Sequence, residues 1–142
     1  MGALAPASSK AIYPYRRTPS LVTDAELSFY KALCDVIGHR YAVMAKVRLI
    51  DLCAKVEKRE NAAAFNQVVS KHVDFVLCDP ENLRPVLIVE LDDPSHFRSE
   101  RRKRDAFLDE VSRTIGVRLL RQFVSRWYDT GYLARRLDAV LR

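Results

Sequence analysis

The sequence predicts an α/β fold in which helices alternate with the strands of one sheet. Short apolar runs have the alternation of strands, and longer segments repeat apolar residues at helical spacing. Their order is a helix, three strands, a helix, a strand and a final helix, so a crossover helix links two strands expected to be parallel. The chain has 142 residues, of which 49% are apolar, and is long enough for a single core.

We expect residues 1–20 to form an extended N-terminal arm and residues 21–142 to form a single α/β domain. Pro14 and Pro19 stand among Tyr and Arg residues in the arm, where they disfavour a helix. The first nine residues lack the basic start and long apolar stretch of a secretion signal. Because no apolar run approaches the roughly 20 residues that cross a bilayer, we expect a soluble, cytoplasmic protein without a membrane partner.

The first helix is expected to begin at Thr23, because Thr23 and Glu26 have the spacing of a capping box. Apolar residues follow at helical intervals as far as Gly38, which can end the helix. Residues 41–49 alternate as a strand. Residues 50–70 mix charged residues with alanines and leave two possibilities open, which are one or two short helices or a mobile loop.

Two apolar strands come next, over residues 72–78 and 85–92. The turn between them is rich in Asp, Pro and Asn, which favour reversal of the chain. The remaining elements are a helix that ends at residue 115, a strand over residues 117–123 and a helix from about residue 129 to the C-terminus.

Carboxylates stand near the ends of this strand pair. Asp74 lies in the first strand, and Glu90 and Asp92 share one face of the second because strand side chains alternate. Buried carboxylates repel each other and are costly to desolvate unless a cation or a proton neutralises them. Mg²⁺ is the simplest neutraliser, since hard divalent cations take oxygen ligands. The pattern therefore predicts a metal site at the end of the strand pair.

A basic run follows the acids. Its cations are Arg98, Arg101, Arg102, Lys103 and Arg104. A polyanion is a natural partner for such a run, because each phosphate that Lys or Arg neutralises releases condensed counterions. The net charge of the chain, +6, has the same sign. A solvated helix face or a localisation signal remains the other interpretation.

Several motifs of the chain resemble the Vsr-like branch of the PD-(D/E)xK nuclease superfamily. They are Val73-Asp74-Phe75-Val76, Ile88-Val89-Glu90-Leu91-Asp92-Asp93, His96, Arg104-Asp105 and Leu119-Leu120-Arg121. Within that branch, the chain is similar to a bacterial family of unknown function whose members begin with a helix that carries a Thr-x-x-Glu start. The resemblance covers most of the chain.

The resemblance implies a restriction-endonuclease-like three-layer sandwich, in which helices flank a mixed β-sheet. It also implies that Asp74 and Glu90 bind Mg²⁺ or Mn²⁺. The backbone carbonyl of Leu91 would add a ligand, and Glu26 would be the outer acid that such nucleases often carry. Glu26 has a second interpretation, because the capping box explains it by itself.

The implied catalytic residues are Asp74, Glu90, Asp92 and His96, and the basic run would contact phosphates. Asp92 stands where many relatives carry Lys, and His96 fits a position where this branch can use His instead. The function implied is a Mg²⁺-dependent endonuclease that acts on DNA. Two alternatives stay open: a nuclease-like module that binds nucleic acid without cleaving it, which the missing Lys favours, and a protein-interaction domain.

Overall fold

The computed structural model describes residues 2–4, 12–54, 56–94 and 98–142. In chain order the elements are α1 (Asp24–Ile37), β1 (Ala42–Arg48), a 3₁₀ turn (Leu49–Leu52), α2 (Ala62–Val69), β2 (His72–Cys78), β3 (Pro85–Asp92), α3 (Arg98–Ile115), β4 (Arg118–Phe123) and α4 (Thr130–Leu141). This order confirms the predicted alternation. Of the two possibilities for residues 50–70, the structure has short helical elements.

Strands β1 to β4 form one mixed sheet in the order β1-β2-β3-β4. The β1–β2 and β2–β3 pairs are antiparallel, whereas β3 and β4 are parallel. A short turn suffices between antiparallel neighbours, and in the β2–β3 turn the Leu83 N–H donates to the Asp79 carbonyl over 2.8 Å. Parallel neighbours need a crossover, which α3 provides as predicted.

Helices pack on the sheet through two apolar clusters. One cluster joins α1 and α4 to the sheet, and it contains the buried Leu33, Leu137 and Val89. The other joins α2 and α3 to the sheet, and it contains the buried Leu108 and Ile88. Val89 and Ile88 are neighbours on β3 and belong to different clusters, because successive strand residues face opposite sides of the sheet. The predicted α/β class with a mixed sheet and flanking helices is confirmed.

Glycines end α1 and α3 where the sequence predicts. Gly38 and Gly116 have φ values of 60° and 73°, a left-handed conformation that glycine adopts without a steric penalty. The Gly38 N–H donates to the Cys34 carbonyl over 2.9 Å, and the Gly116 N–H donates to the Ser112 carbonyl over 3.0 Å. Each bond satisfies a carbonyl that the end of the helix would otherwise leave free.

The alternation of the sheet breaks at one point on β1 and β2. Lys46 and Asp74 lie opposite each other there but do not pair, although the residues on either side of both do. Lys46 has a φ of 55°, which L side chains rarely adopt. Phe75 packs in the α1/α4 cluster, whereas Val73 packs in the α2/α3 cluster. Val73 and Phe75 are two residues apart and would face the same side of a regular strand, but here their side chains lie on opposite sides of the sheet.

The predicted N-terminal arm is described at residues 2–4 and 12–20. These residues are exposed and form neither helix nor strand. The next residue, Leu21, accepts a hydrogen bond from Lys46 Nζ over 3.3 Å. The segment before α1 is thereby attached to β1, close to the break in the sheet.

Candidate functional site

Asp74 and Glu90 lie side by side where β2 and β3 separate. The pairing of the two strands stops at Phe75 and Val89, one residue before the two acids. Beyond this point, hydrogen bonds between side chains and backbone connect β2 and β3. The Asp74 N–H donates to Glu90 Oε1 over 2.8 Å, and the Leu91 N–H donates to Asp74 Oδ2 over 2.8 Å. Each acid therefore binds the backbone of the opposite strand and satisfies an N–H group that the ladder no longer uses.

The two carboxyl groups are held in a setting that disfavours their charge. The Glu90 side chain is only 5% exposed. Burial, followed by the negative charge of Asp74, raises the pKa of Glu90 to about 7. Burial also raises the pKa of Asp74; the Leu91 N–H opposes this change, and the charges of Glu26 and Asp92 add to it. A proton or a cation would therefore stabilise this pair.

Two arginines of α3 supply positive charge to the acids. Arg104 Nη2 lies 3.4 Å from Glu90 Oε2, and Arg101 Nη2 lies 3.0 Å from Asp92 Oδ1. Arg101 also donates to the backbone carbonyl of Asp93. The Arg101 side chain is 22% exposed, whereas that of Arg104 is 59% exposed. Arg101 is therefore engaged within the protein, while Arg104 remains accessible to a ligand.

The acids and the arginines line one cleft. It has a volume of about 430 Å³ and lies between the separating strand ends and the first turns of α3. Its lining includes Asp74, Glu90, Asp92, Arg101 and Arg104. Carboxylates can bind a hard cation, and a guanidinium can bind a phosphate with two parallel hydrogen bonds. We refer to this space as the acidic cleft.

Arg121 of β4 holds α3 in place beside the acidic cleft. Its guanidinium donates to Asp105 over 3.0 Å and to Asp109 over 2.9 Å, both on α3. Arg121 pairs with Glu90 in the parallel register of β3 and β4, so this contact lies next to the acids. Arg121 belongs to the motif that supports the nuclease resemblance, but the sequence predicts no role for it, because its partners lie 12 and 16 residues away on another element.

Glu26 forms the predicted capping box. Its Oε1 accepts from the Thr23 N–H over 2.9 Å, and Thr23 Oγ1 accepts from the Glu26 N–H over 3.2 Å. The negative charge of Glu26 also raises the pKa of Asp74, so the start of α1 lies near the acidic cleft. The capping role is confirmed, and the role of Glu26 as a metal ligand stays a prediction. The role of the Leu91 carbonyl as a metal ligand also stays a prediction.

The predicted basic run divides in the structure. Arg102 and Lys103 are exposed on α3, as phosphate contacts require, whereas Arg101 turns toward Asp92. Arg98 is the first residue of α3. His96 lies outside the described residues, and its catalytic role stays a prediction.

The donor set at Asp74 and Glu90 suits Mg²⁺. Within residues 12–54, 56–94 and 98–142, no three His, Cys, Asp or Glu side chains form a ready-made metal cage. Mg²⁺ does not need one, because it is usually bound through one or two carboxylates and keeps several waters and substrate oxygens. Asp74 and Glu90 supply such a pair, and burial raises the pKa of both, so a bound cation would offset the cost of their negative charge.

The chain belongs to the family described as protein of unknown function (DUF2726), whose family model matches residues 18–140. No curated protein and no solved structure matches the chain significantly. The match confirms the predicted relationship to a family of unknown function, and the placement among Vsr-like nucleases stays a prediction. Among the helices that the structure describes, none has the length and apolar character of a membrane span.

Proposed function

We propose that this protein is a Mg²⁺-dependent endonuclease that hydrolyses phosphodiester bonds in DNA. The observation that carries the proposal is the pair of carboxyl groups of Asp74 and Glu90, each of which accepts a hydrogen bond from a backbone N–H of the opposite strand. The exposed Arg104 faces this pair. Glu90 is buried and its neighbour Asp74 is partly buried. Such a pair destabilises a fold unless something neutralises it, because both charges lose hydration and repel each other. Binding of a cation would neutralise the pair and remove this destabilisation.

Asp74 and Glu90 would hold the metal, with the Leu91 carbonyl and Glu26 as further oxygen donors. When bound, Mg²⁺ would supply a water that loses its proton near neutral pH and a positive charge beside the phosphate. Waters and phosphate oxygens would complete its coordination. The hydrogen bonds from the backbone to Asp74 and Glu90 keep the two carboxylates oriented before the substrate arrives.

Arg104 is suited to bind the phosphate that reacts. It approaches Glu90 at 3.4 Å while most of its side chain stays exposed, so it can contact the acid and the substrate together. A guanidinium at this point would stabilise the negative charge that develops on the phosphate oxygens. Arg101 orients Asp92 at 3.0 Å, and His96 would exchange a proton with the reacting groups near neutral pH.

The exposed cations of α3 would hold the DNA strand against the acidic cleft. Arg102 and Lys103 follow directly on Arg101 and are exposed. Their contacts with phosphates carry no sequence information but position the strand. DNA binding is therefore expected to weaken as the salt concentration rises.

A second candidate function, nucleic-acid binding without cleavage, is favoured by the ion pairs of the cleft. Asp92 stands where related motifs carry Lys, and it pairs with Arg101. Arg104 also balances part of the charge of Glu90. In this alternative the arginines replace the metal as the groups that neutralise the acids.

Nicking of supercoiled plasmid separates the two candidates. We expect nicking with Mg²⁺ or Mn²⁺ and none with EDTA. Asp74→Asn and Glu90→Gln should abolish nicking but retain DNA binding that weakens with salt. Glu110→Gln is the matched control, since Glu110 is an exposed acid of α3 outside the acidic cleft. Nicking that persists in both site variants would contradict the proposal. DNA binding by a wild-type protein that never nicks would support the second candidate.

A further inference from the structure

A second cavity adjoins the acidic cleft on the far side of Asp74. It has a volume of about 300 Å³, and its lining includes Lys46 of β1, Lys71 just before β2, His72 at the start of β2, and Arg104 of α3. We refer to it as the basic cavity. Asp74 and Arg104 line both spaces, so these two side chains form the boundary between the acidic cleft and the basic cavity.

The two lysines of the basic cavity have neutral partners. Lys46 Nζ donates to the Leu21 carbonyl over 3.3 Å. Lys71 Nζ donates to the Gln67 carbonyl and lies 4.8 Å from the centre of the Phe107 ring. In the described part of the chain, neither lysine forms an ion pair with a carboxylate. The positive charge of both is therefore left for an anion.

The backbone at Lys46 gives an independent observation. Its φ of 55° lies in the left-handed region, where glycine fits without strain and a residue with a side chain does not. Lys46 also lies opposite Asp74 at the point where the ladder skips one pair. Strained residues of this kind concentrate at functional sites. Lys46 lines the basic cavity together with Asp74, the acid on which the proposed function depends.

We propose that the basic cavity binds a phosphate of the DNA strand, adjacent to the phosphate that occupies the acidic cleft. This inference rests on the proposed function, because it takes one strand to occupy both spaces. Lys46, Lys71 and Arg104 would contact the phosphate oxygens as charged donors. The carboxylate of Asp74 would repel them, but its Oδ2 accepts from the Leu91 N–H and Arg104 lies on the same boundary. The strand would therefore run from the basic cavity, past Asp74 and Arg104, into the acidic cleft.

DNA-binding measurements in EDTA test this placement without cleavage. The probe is a short fluorescent DNA duplex, and the variants are Lys46→Gly and Lys71→Met. Each variant should weaken binding several-fold and reduce the slope of log affinity against log salt by about 0.9, the value for one lost phosphate contact. Glycine suits the backbone at Lys46, and methionine keeps most of the packing of Lys71, so both variants are expected to fold.

Leu83→Gly is the matched control for Lys46→Gly. Leu83 has a φ of 57° and lies in the β2–β3 turn, away from both cavities. Both glycine variants should unfold no more easily than the wild type, because each relieves a left-handed side chain, but only Lys46→Gly should bind DNA more weakly. Wild-type affinity and salt slope in both Lys46→Gly and Lys71→Met would overturn the inference, as would a wild-type protein that does not bind the duplex.

A second measurement locates the phosphate. The probes are duplexes in which one phosphate is replaced by an uncharged methylphosphonate, at a different position in each duplex. At one position we expect the wild type to bind the modified duplex more weakly than the unmodified one, whereas Lys46→Gly should bind both duplexes equally. The same loss in both proteins at every position would overturn the inference. Plasmid nicking reports separately on the proposed function, since a protein that never nicks can still show this pattern, and a protein that nicks can lack it.

Discussion

The Asp74 N–H donates to Glu90 Oε1 over 2.8 Å, and this bond takes the place of a ladder bond that β2 and β3 no longer make. In the other direction, the Leu91 N–H donates to Asp74 Oδ2 over the same distance. Each acid is thus both a candidate ligand and a support for the opposite strand. Amide variants are the right probes here, because Asn and Gln keep the shape and one acceptor oxygen while removing the charge.

The stability of the metal-free protein should depend on the protonation of Glu90. Its pKa in the folded protein, about 7, lies above the ordinary value of 4.5. The folded state therefore binds more protons than the unfolded state between these two values, and stability should fall as the pH rises from 5 to 8. The full difference corresponds to about 3 kcal/mol. Urea unfolding in EDTA at pH 5 and pH 8 measures it.

Glu90→Gln is the control for this pH dependence. The amide cannot ionise, so the free energy of unfolding of the variant should change less between pH 5 and pH 8 than that of the wild type. Asp74, whose pKa is also raised, should leave a residual slope of the same sign. An equal slope in the variant and the wild type would show that Glu90 is not the responsible group.

Mg²⁺ should stabilise the protein through Asp74 and Glu90. A ligand that binds only the folded state, present at 100 times its dissociation constant, adds about 2.7 kcal/mol. The effect should be larger at pH 8 than at pH 6, because a proton on Glu90 competes with the metal. Thermal unfolding with and without Mg²⁺ gives the shift in Tm. Asp74→Asn should lose the shift and Glu110→Gln should keep it; a full shift in Asp74→Asn would place the metal elsewhere.

Arg104→Lys should reduce nicking by about 10²-fold, because the variant keeps a positive charge but loses the planar, two-pronged donor that would stabilise charge on the phosphate. Arg102→Lys is the matched change, since Arg102 is an exposed neighbour on α3 outside the lining of the acidic cleft. It should leave the nicking rate at saturating DNA nearly unchanged. Single-turnover rates compare the two variants. Equal losses would mean that Arg104 serves only to bind DNA.

Arg121→Met should destabilise the fold by about 2 kcal/mol, because it removes charged hydrogen bonds to Asp105 and Asp109. Asp105 would keep only its longer contact with Arg101, at 4.0 Å. Arg113→Met removes an exposed ion pair with Glu110, and its cost should stay below about 1 kcal/mol. Urea unfolding of both variants at pH 7 provides the comparison. Similar costs would show that Arg121 does not secure α3 to β4.

The helix boundaries and the proximity of the two acids were predictable because their signals are local. Thr23 and Glu26 begin α1 through a capping box, and Gly38 ends it, so each signal lies within one turn of the boundary that it sets. A short turn after Cys78 obliges β2 and β3 to be antiparallel neighbours. Asp74 and Glu90 must then lie close together, as the sequence indicates.

By itself, the sequence determined the order of the elements, the strand pair and the acids at its end. Only the tertiary structure decided that Arg101 turns to Asp92, that Arg104 stays exposed between two cavities, and that Arg121 ties α3 to β4. The left-handed Lys46 had no local signal either. Capping and alternation act between residues within a few positions of each other. The direction of a long charged side chain depends instead on which helix packs beside it, and that is settled when the whole core is buried.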